Sequence, residues 1–223
     1  MPHFLLIDTS TSCCSVAIAK GETVLHQQIK CEGNDHASLL PSFTNACLSA
    51  AQLSLKDINA IAISIGPGSY TGLRVGLSFA KALCYANQIP LIAISTLQMM
   101  ACGMQQITQQ QKAFYIPMID ARRMEVYTAV FNEKGDWIEK PFPKILTESF
   151  IAERNLKGKI FIAGNGAIKI KPFIHDNEIE IIDHFICEAK HLIGKANELY
   201  QTAIFADVAY TEPFYLKQFG EIL

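Results

Sequence analysis

The sequence predicts an α/β protein of two similar halves, each with a mixed sheet, the second half shortened. Three observations predict it. A short apolar strand that ends in a carboxylate and turns into a hairpin occurs twice, at His3 to Asp8 and at Phe114 to Asp120. A β-branched run ending in a Gly-x-Gly turn also occurs twice, at Ile61 to Gly68 and at Ile160 to Gly166. Between these landmarks the apolar residues recur at helical spacing. A glutamine-rich stretch near residue 108 marks the expected boundary, giving lobes 1–108 and 109–223, with the tail free to pack back on the first.

Each element follows in order. After the strand His3 to Asp8, a turn at Thr9 to Ser12 leads to a strand at Cys13 to Ala19. Gly21 and Glu22 turn the chain into a third strand, Thr23 to Cys31. Asn34 or Asp35 is placed to cap a helix over His36 to Leu53, where Leu40, Phe43, Cys47 and Ala51 share a face. Pro41 kinks its first turns or forces a tight start. Ile58 to Ile65 is a continuous β-branched run, the pattern of a strand covered on both faces. GPGSYTG follows, then a helix to about Asn87, a buried strand at Pro90 to Ile94 and a helix from Thr96 to about Gln110. The second half repeats the outline with strands at Phe114 to Ile119, Glu125 to Phe131 and near Trp137. Its glycine turn, Gly164-Asn165-Gly166, follows Ile160 to Ala163 and opens the counterpart of the helix after GPGSYTG. A last helix is expected from Glu188 to about Ile204, before the aromatic end Pro213-Phe214-Tyr215-Leu216.

Composition narrows the function. The 223 residues are 50% hydrophobic and 18% charged, enough for a substantial core. A net charge of −2 gives no electrostatic reason for the chain to bind nucleic acid alone, and the longest basic cluster is Arg122–Arg123. Seven cysteines, an odd number with no C-x-x-C pair, fit a reducing compartment and point to the cytoplasm. No leader pattern opens the chain, and no run approaches the roughly 18 apolar residues of a membrane span. None of the six histidines has metal-ligand spacing, and no G-x-S-x-G elbow occurs.

A duplicated strand–Asp–turn–strand is the plan of the actin, sugar-kinase and heat-shock-ATPase superfamily, in which two hairpin turns grip phosphates. Asp8 and Asp120 stand at the strand ends, where a carboxylate holds a metal, orients water, or simply caps its own turn. GPGSYTG is not a Walker A loop. Ser69 and Thr71 in it offer hydroxyl donors to an anion or cap the helix, and the glycines serve either a phosphate or a tight turn. In the helix behind it Gly72, Gly76, Ala80 and Cys84 form a small-residue stripe flanked by Leu73, Leu77 and Phe79. Two internal glycines each cost about 1 kcal/mol against alanine, which calls for a close neighbour. That neighbour is either a partner helix or another part of this chain.

These residues resemble the bacterial TsaB (YeaZ) family. The matching stretches are Leu6-Ile7-Asp8-Thr9-Ser10, His36-Ala37-Ser38-Leu39-Leu40-Pro41, GPGSYTGLRVG with Phe79 to Leu83, Ser95-Thr96-Leu97, Asp120-Ala121-Arg122-Arg123 with Glu125-Val126-Tyr127, and Gly164-Asn165-Gly166. The resemblance implies an actin-like (ASKHA) fold. It implies a non-catalytic subunit required for threonylcarbamoyl transfer to adenosine in tRNAs reading A-starting codons. The implied partners are a TsaD-type catalytic subunit, which this chain binds and supports, and a TsaE-type ATPase, with tRNA met only through the complex. Alone, the chain is expected to pair with itself. The implied interface lies on the two first-lobe helices, with Leu40, Phe43, Gly72, Leu73, Gly76, Leu77 and Ala80. No metal or resident cofactor is implied. ATP or ADP at the partner interface would meet Ser69, Thr71 and Arg74, with Asp8 and Asp120 as further contacts. Where a TsaD chain carries two metal-binding histidines, this one has Thr96 and Met100, which cannot replace imidazoles. The rival reading is an ATP-dependent phosphotransferase of the same superfamily, using Asp8 and Asp120.

Overall fold

The computed structural model describes residues 1–33, 35–110 and 112–217. Ten strands and four α-helices run in the order β1 (His3–Asp8), β2 (Cys14–Lys20), β3 (Thr23–Lys30), α1 (His36–Ala50), β4 (Ala60–Ser64), α2 (Tyr70–Asn87), β5 (Leu91–Ile94), α3 (Thr96–Thr108), β6 (Ala113–Asp120), β7 (Glu125–Phe131), β8 (Trp137–Ile145), β9 (Lys159–Ala163), β10 (Ile179–Ile181) and α4 (Ile193–Gln201) among the described residues.

The strands form two five-stranded mixed sheets, in the orders β3-β2-β1-β4-β5 and β10-β9-β6-β7-β8. In each, the first three strands are an antiparallel meander and the last two run parallel to its first strand. Thus β6 corresponds to β1, β9 to β4 and β10 to β5. The repeat seen in the sequence is a repeat of topology, and the fold is the actin-like α/β arrangement with a shortened second half.

The shortening falls on the helices. Where the first sheet has α1 and α2 between its strands, the second has short 3-10 turns at Ala152–Arg154, Ala167–Lys169 and Lys171–Phe173. The helix expected after Gly164-Asn165-Gly166 is therefore not an α-helix. Pro172 sits in the second of its turns, where a missing N–H favours a break over propagation.

The chain divides into two compact units, Met1–Met99 with Cys187–Phe214, and Met100–Ile186 with the segment from Tyr215. The division differs from the lobes 1–108 and 109–223. Most of α3 goes with the second unit, because Gln105 donates to the Glu133 carbonyl at 3.1 Å and Thr108 meets the Tyr115 hydroxyl at 3.1 Å. The segment after Cys187 returns to the first unit. There Tyr200 packs edge-on against Phe4 with ring centroids 5.5 Å apart, and the Ala206 N–H bonds to the Leu91 carbonyl at 2.8 Å. A polar run marks an exposed helix end, and it carries no information about which sheet the helix covers.

Three further expectations are corrected. Helix α1 stops at Ala50 rather than Leu53, and Gln52 beyond it takes a left-handed φ of 56°. Asp35 stands at its N-cap without a side-chain capping bond, and Asn34 lies outside the described residues. The tail helix begins as a 3-10 turn, Ala189–Leu192, and reaches only Gln201. Finally, the cysteines are not all thiols. Cys13 and Cys31 form a disulfide joining the start of β2 to the end of β3. The antiparallel register that pairs Cys14 with Lys30 brings them together across 18 positions of sequence, a spacing that matches no motif.

Each sheet has its own core. In the first unit Leu5, Ile7, Val16, Ile18, Ile61 and Ile63 point to one face and pack with Leu40, Leu48, Leu77 and Cys84 of α1 and α2. In the second, Ile116, Met118, Val126, Ile160 and Ile162 pack with Leu146, Phe150 and Ile170.

Candidate functional site

The glycine turn between β4 and α2 is held from two sides. Gly66 has φ of 123° and precedes a cis peptide to Pro67. Its N–H donates to Thr96 Oγ1 at 3.1 Å, and its carbonyl accepts from the Thr96 N–H at 2.8 Å. Thr96, fully buried, thus clasps the turn to the start of α3. On the other side the Ser69 N–H donates to the Ser10 carbonyl at 2.7 Å. Ser69 Oγ accepts from the Gly72 N–H at 3.2 Å and caps α2.

The stripe on α2 faces this same turn. A Cβ on Gly72 would lie 2.2 Å from the Thr9 carbonyl oxygen, and one on Gly76 would lie 2.1 Å from Thr9 Oγ1. Both approaches are far inside van der Waals contact. Gly72, Leu73, Gly76, Leu77 and Ala80 are all buried within the chain. The small residues let the β1–β2 turn settle on the helix, and the expectation that they present a docking surface is corrected. Leu40 is also fully buried, and Phe43 partly so.

Asp8 closes this buried region. It is fully buried and accepts a hydrogen bond from the Ser64 hydroxyl and one at 3.3 Å from the Ser10 N–H, both at Oδ1. Its Oδ2 has no partner among the described residues. Burial pushes its pKa above the ordinary 3.8, against the hydrogen bonds of Ser64 and Ser10 and the charge of His36. The thiol of Cys14 beside it is pushed up to about 12 by burial and by Asp8. Cys187 is raised well above its ordinary value by the same two causes. The returning segment holds its place through the Ala189 N–H, which donates to Ser15 Oγ at 3.0 Å. A carboxyl this buried, whose charged form burial disfavours, is a poor ligand for a hard cation.

Asp120 is differently placed. Half-exposed at the end of β6, it accepts from the Arg122 N–H at 2.6 Å and from Lys169 Nζ at 2.7 Å through Oδ1. Its own N–H donates to Asn165 Oδ1 at 2.9 Å. This carboxylate caps its turn and is paired. Among the described residues no group of three or more His, Cys, Asp and Glu side chains is arranged to hold a metal.

The outer surface of α1 and α2 bears a groove of about 370 Å³ lined by Ala37, Leu40, Arg74, Val75, Ser78 and Phe79. Arg74 lies over the Tyr70 ring at 4.2 Å, and Thr71 is exposed beside it. Helix α1 contains no Asp, Glu, Lys or Arg at all, and α2 only Arg74 and Lys81. Sequence reasoning points to these two helices and to the inner face of α2, and leaves unused the sparse charge of their outer faces.

Comparison with known proteins agrees with this architecture. A family model described as TsaD, tRNA N6-adenosine threonylcarbamoyltransferase, matches residues 26–215. The tRNA threonylcarbamoyladenosine biosynthesis protein TsaB of Escherichia coli is 30% identical over 96% of this chain and 94% of its own. The protein of the same description in Buchnera aphidicola (Baizongia pistaciae) is 31% identical over 88% of this chain and 90% of its own. Among solved structures, YeaZ from Pseudomonas aeruginosa superposes with a TM-score of 0.81, at 24% identity over 97% of this chain and all of that one. Component A of the (R)-2-hydroxyglutaryl-CoA dehydratase of Acidaminococcus fermentans shares the fold at a TM-score of 0.54, at 11% identity over 91% of this chain and 99% of its own. On the strength of the family model and of curated relatives aligned along nearly their whole length, the chain belongs to the TsaB (YeaZ) family.

Proposed function

We propose that this chain is a non-catalytic subunit required for threonylcarbamoyl transfer to adenosine in tRNAs reading A-starting codons, and that it binds and supports a TsaD-type catalytic subunit. The observation that carries this reading is the charge-poor outer surface of α1 and α2, whose groove has Arg74 as its one charged lining residue. A solvated surface helix normally carries a charged stripe opposite its buried face. An interface core is instead depleted of charge and enriched in apolar and aromatic residues, and here Val75 and Phe79 stand half-buried with Tyr85 exposed nearby on α2.

A TsaD-type chain is the occupant that fits best. The model matching 26–215 is that of TsaD itself, so such a partner offers a helix pair of common descent. Two related faces of this kind pair about a pseudo-two-fold axis. The same self-complementarity supports pairing of two copies of this chain when the partner is absent. A TsaE-type ATPase and the tRNA would join the assembled pair. ATP or ADP at the partner interface would meet Thr71 and Arg74, whereas Ser69 is occupied in capping. The cytoplasm is the compartment of such a reaction, and no helix among the described residues is long and apolar enough to cross a membrane.

The full burial of Asp8 supports a role without chemistry of its own, since the rival phosphotransferase reading needs that carboxylate open to a metal. Reconstitution tests the proposal. Threonylcarbamoyl transfer to tRNA by the TsaD-type subunit with its ATPase is measured with and without this chain. Transfer dependent on the chain is expected. Equal transfer without it, or magnesium-dependent ATP hydrolysis by the chain alone, overturns the reading.

A further inference from the structure

The β6–β7 turn of the second unit gathers charge. Arg122 and Arg123 follow Asp120 and occupy consecutive left-handed conformations, with φ of 72° and 46°. Residues other than glycine adopt that region rarely, and strained turns of this kind concentrate where a side chain must be aimed. Both side chains are exposed, and neither guanidinium has a hydrogen-bond or ion-pair partner among the described residues. The two nearby carboxylates are already answered by other cations. Lys169 Nζ binds Asp120 Oδ1 at 2.7 Å, and Lys217 Nζ binds both Glu125 oxygens at 2.6 and 2.7 Å. Those lysines are 12% and 14% exposed, so they are held in place rather than waving in solvent. Two carboxylates among four cations leave a local excess of positive charge in a chain whose net charge is −2. The turn also lies at the carboxyl ends of β6 and β9, beside Gly164-Asn165-Gly166, the edge of an α/β sheet where ligands are bound.

We infer that this turn contacts the phosphodiester backbone of RNA, with Arg122 and Arg123 each engaging a phosphate, so that the subunit touches tRNA directly. The inference rests on the proposed function for the identity of the RNA. A guanidinium matches phosphate oxygens in a bidentate fork, and free guanidiniums beside neutralised carboxylates suit a polyanion. The chain's overall acidity confines the contact to this point, and the partner supplies the remaining phosphate contacts.

The test is equilibrium binding of tRNA to the complex of the full chain with its TsaD-type partner, across a salt series. Replacing both residues, Arg122→Gln with Arg123→Gln, is expected to weaken binding about tenfold at low salt and to reduce the slope of log affinity against log salt by about 1.4 to 1.8, the release of two phosphate contacts. The lysine pair, Arg122→Lys with Arg123→Lys, keeps the charge and should restore the slope. The charge-matched control, Lys134→Gln with Lys140→Gln, should leave it unchanged. An unaltered slope in the glutamine variant, with its melting temperature intact, overturns the inference. So does an equal loss in the Lys134/Lys140 control, which would mark a general charge effect. Displacement of tRNA by ADP, with the glutamine variant losing ADP affinity to the same degree, would reassign the turn to a mononucleotide phosphate. If the complex does not assemble, the proposed function has failed on its own account. The same titration is then made with the chain alone, where no difference between wild type and variant overturns the RNA contact.

Discussion

Thr9 and Gly76 share one space: the threonine hydroxyl oxygen stands 2.1 Å from where a Cβ on the glycine would be, and that hydroxyl donates to the Gly72 carbonyl at 2.8 Å. The two internal glycines of α2 exist for the β1–β2 turn. That turn is packed against the helix, and Asp8 beside it is fully buried.

Gly76→Ala therefore destabilises the fold although alanine is the better helix former. Propensity favours the substitution by about 1 kcal/mol, and overpacking opposes it by about 1 to 3 kcal/mol. Gly72→Ala should cost more, because the atom it meets, at 2.2 Å, is the Thr9 backbone carbonyl and cannot rotate away. Urea midpoints measure both. Thr9→Ala combined with Gly76→Ala should recover most of the loss in a double-mutant cycle. Additive costs would show that Thr9 is not what the glycine accommodates.

Asp8 sets one pH dependence. Its folded pKa lies above the unfolded value, so the folded chain holds the proton more tightly. Its favourable contribution is full below pH about 4 and is lost as pH rises through the folded pKa. Asp8→Asn removes that loss. The variant should match or exceed the wild type in urea midpoint at pH 8 and gain less, or nothing, at pH 5. A wild-type advantage that grows with pH would mean that the carboxylate is ionised and paired in the folded state.

His191 works with the opposite sign. It is 3% exposed, and burial lowers its pKa from 6.5 to about 4, with Glu188 opposing and Lys190 adding to the shift. The folded chain binds this proton less well than the unfolded one. Stability from His191 is present above pH 6.5 and disappears as pH falls towards 4, a swing of up to about 3 kcal/mol. His191→Gln should flatten the urea-midpoint profile across that window. A profile as steep as the wild type's would assign the acid sensitivity to other groups.

Much of this architecture is legible in the sequence, because strands and carboxylate-ended turns leave local signals. Both strand–Asp–hairpin units and both Gly-x-Gly turns fall where pattern places them, and so do β1 and β7 to the residue. What sequence withheld depends on registry across the fold. The small stripe on α2 declares a close neighbour, and only the packing shows that the neighbour is Thr9. Thr96 reads as the residue standing in for a metal ligand, yet its hydroxyl is bound to the Gly66 N–H. Cys13 and Cys31 are joined by the register of an antiparallel pair, which no spacing rule encodes. Arg122–Arg123 reads in the sequence as a short basic cluster in a chain of net charge −2, a global sum that hides the lysines paired with Asp120 and Glu125.

The disulfide gives a redox-dependent stability. Closing a loop across 18 positions restricts the unfolded chain by about 3 kcal/mol. Cys13→Ser with Cys31→Ser should lower the urea midpoint in oxidising buffer and leave it unchanged against wild type in excess dithiothreitol. Thiol titration of the denatured, oxidised protein should find five free groups, the Cys14, Cys47, Cys84, Cys102 and Cys187 thiols. Seven would show that the pair stays reduced.

The outer surface of α1 and α2 is where a single charge should do the most damage to assembly and the least to folding. Ser78 is exposed on α2 and lines the groove with Val75 and Phe79. Ser78→Glu leaves the buried stripe untouched, so the monomer's urea midpoint should stay within about 0.5 kcal/mol of wild type. In the assembled pair the same carboxylate would be desolvated among apolar neighbours, and Arg74 one turn away, which lies over the Tyr70 ring, offsets only part of that cost. A cost of about 3 kcal/mol corresponds to a loss of about a hundredfold in affinity for the TsaD-type partner. Calorimetric titration of the two subunits measures it. Undiminished affinity in a normally folded variant would remove this groove from the interface.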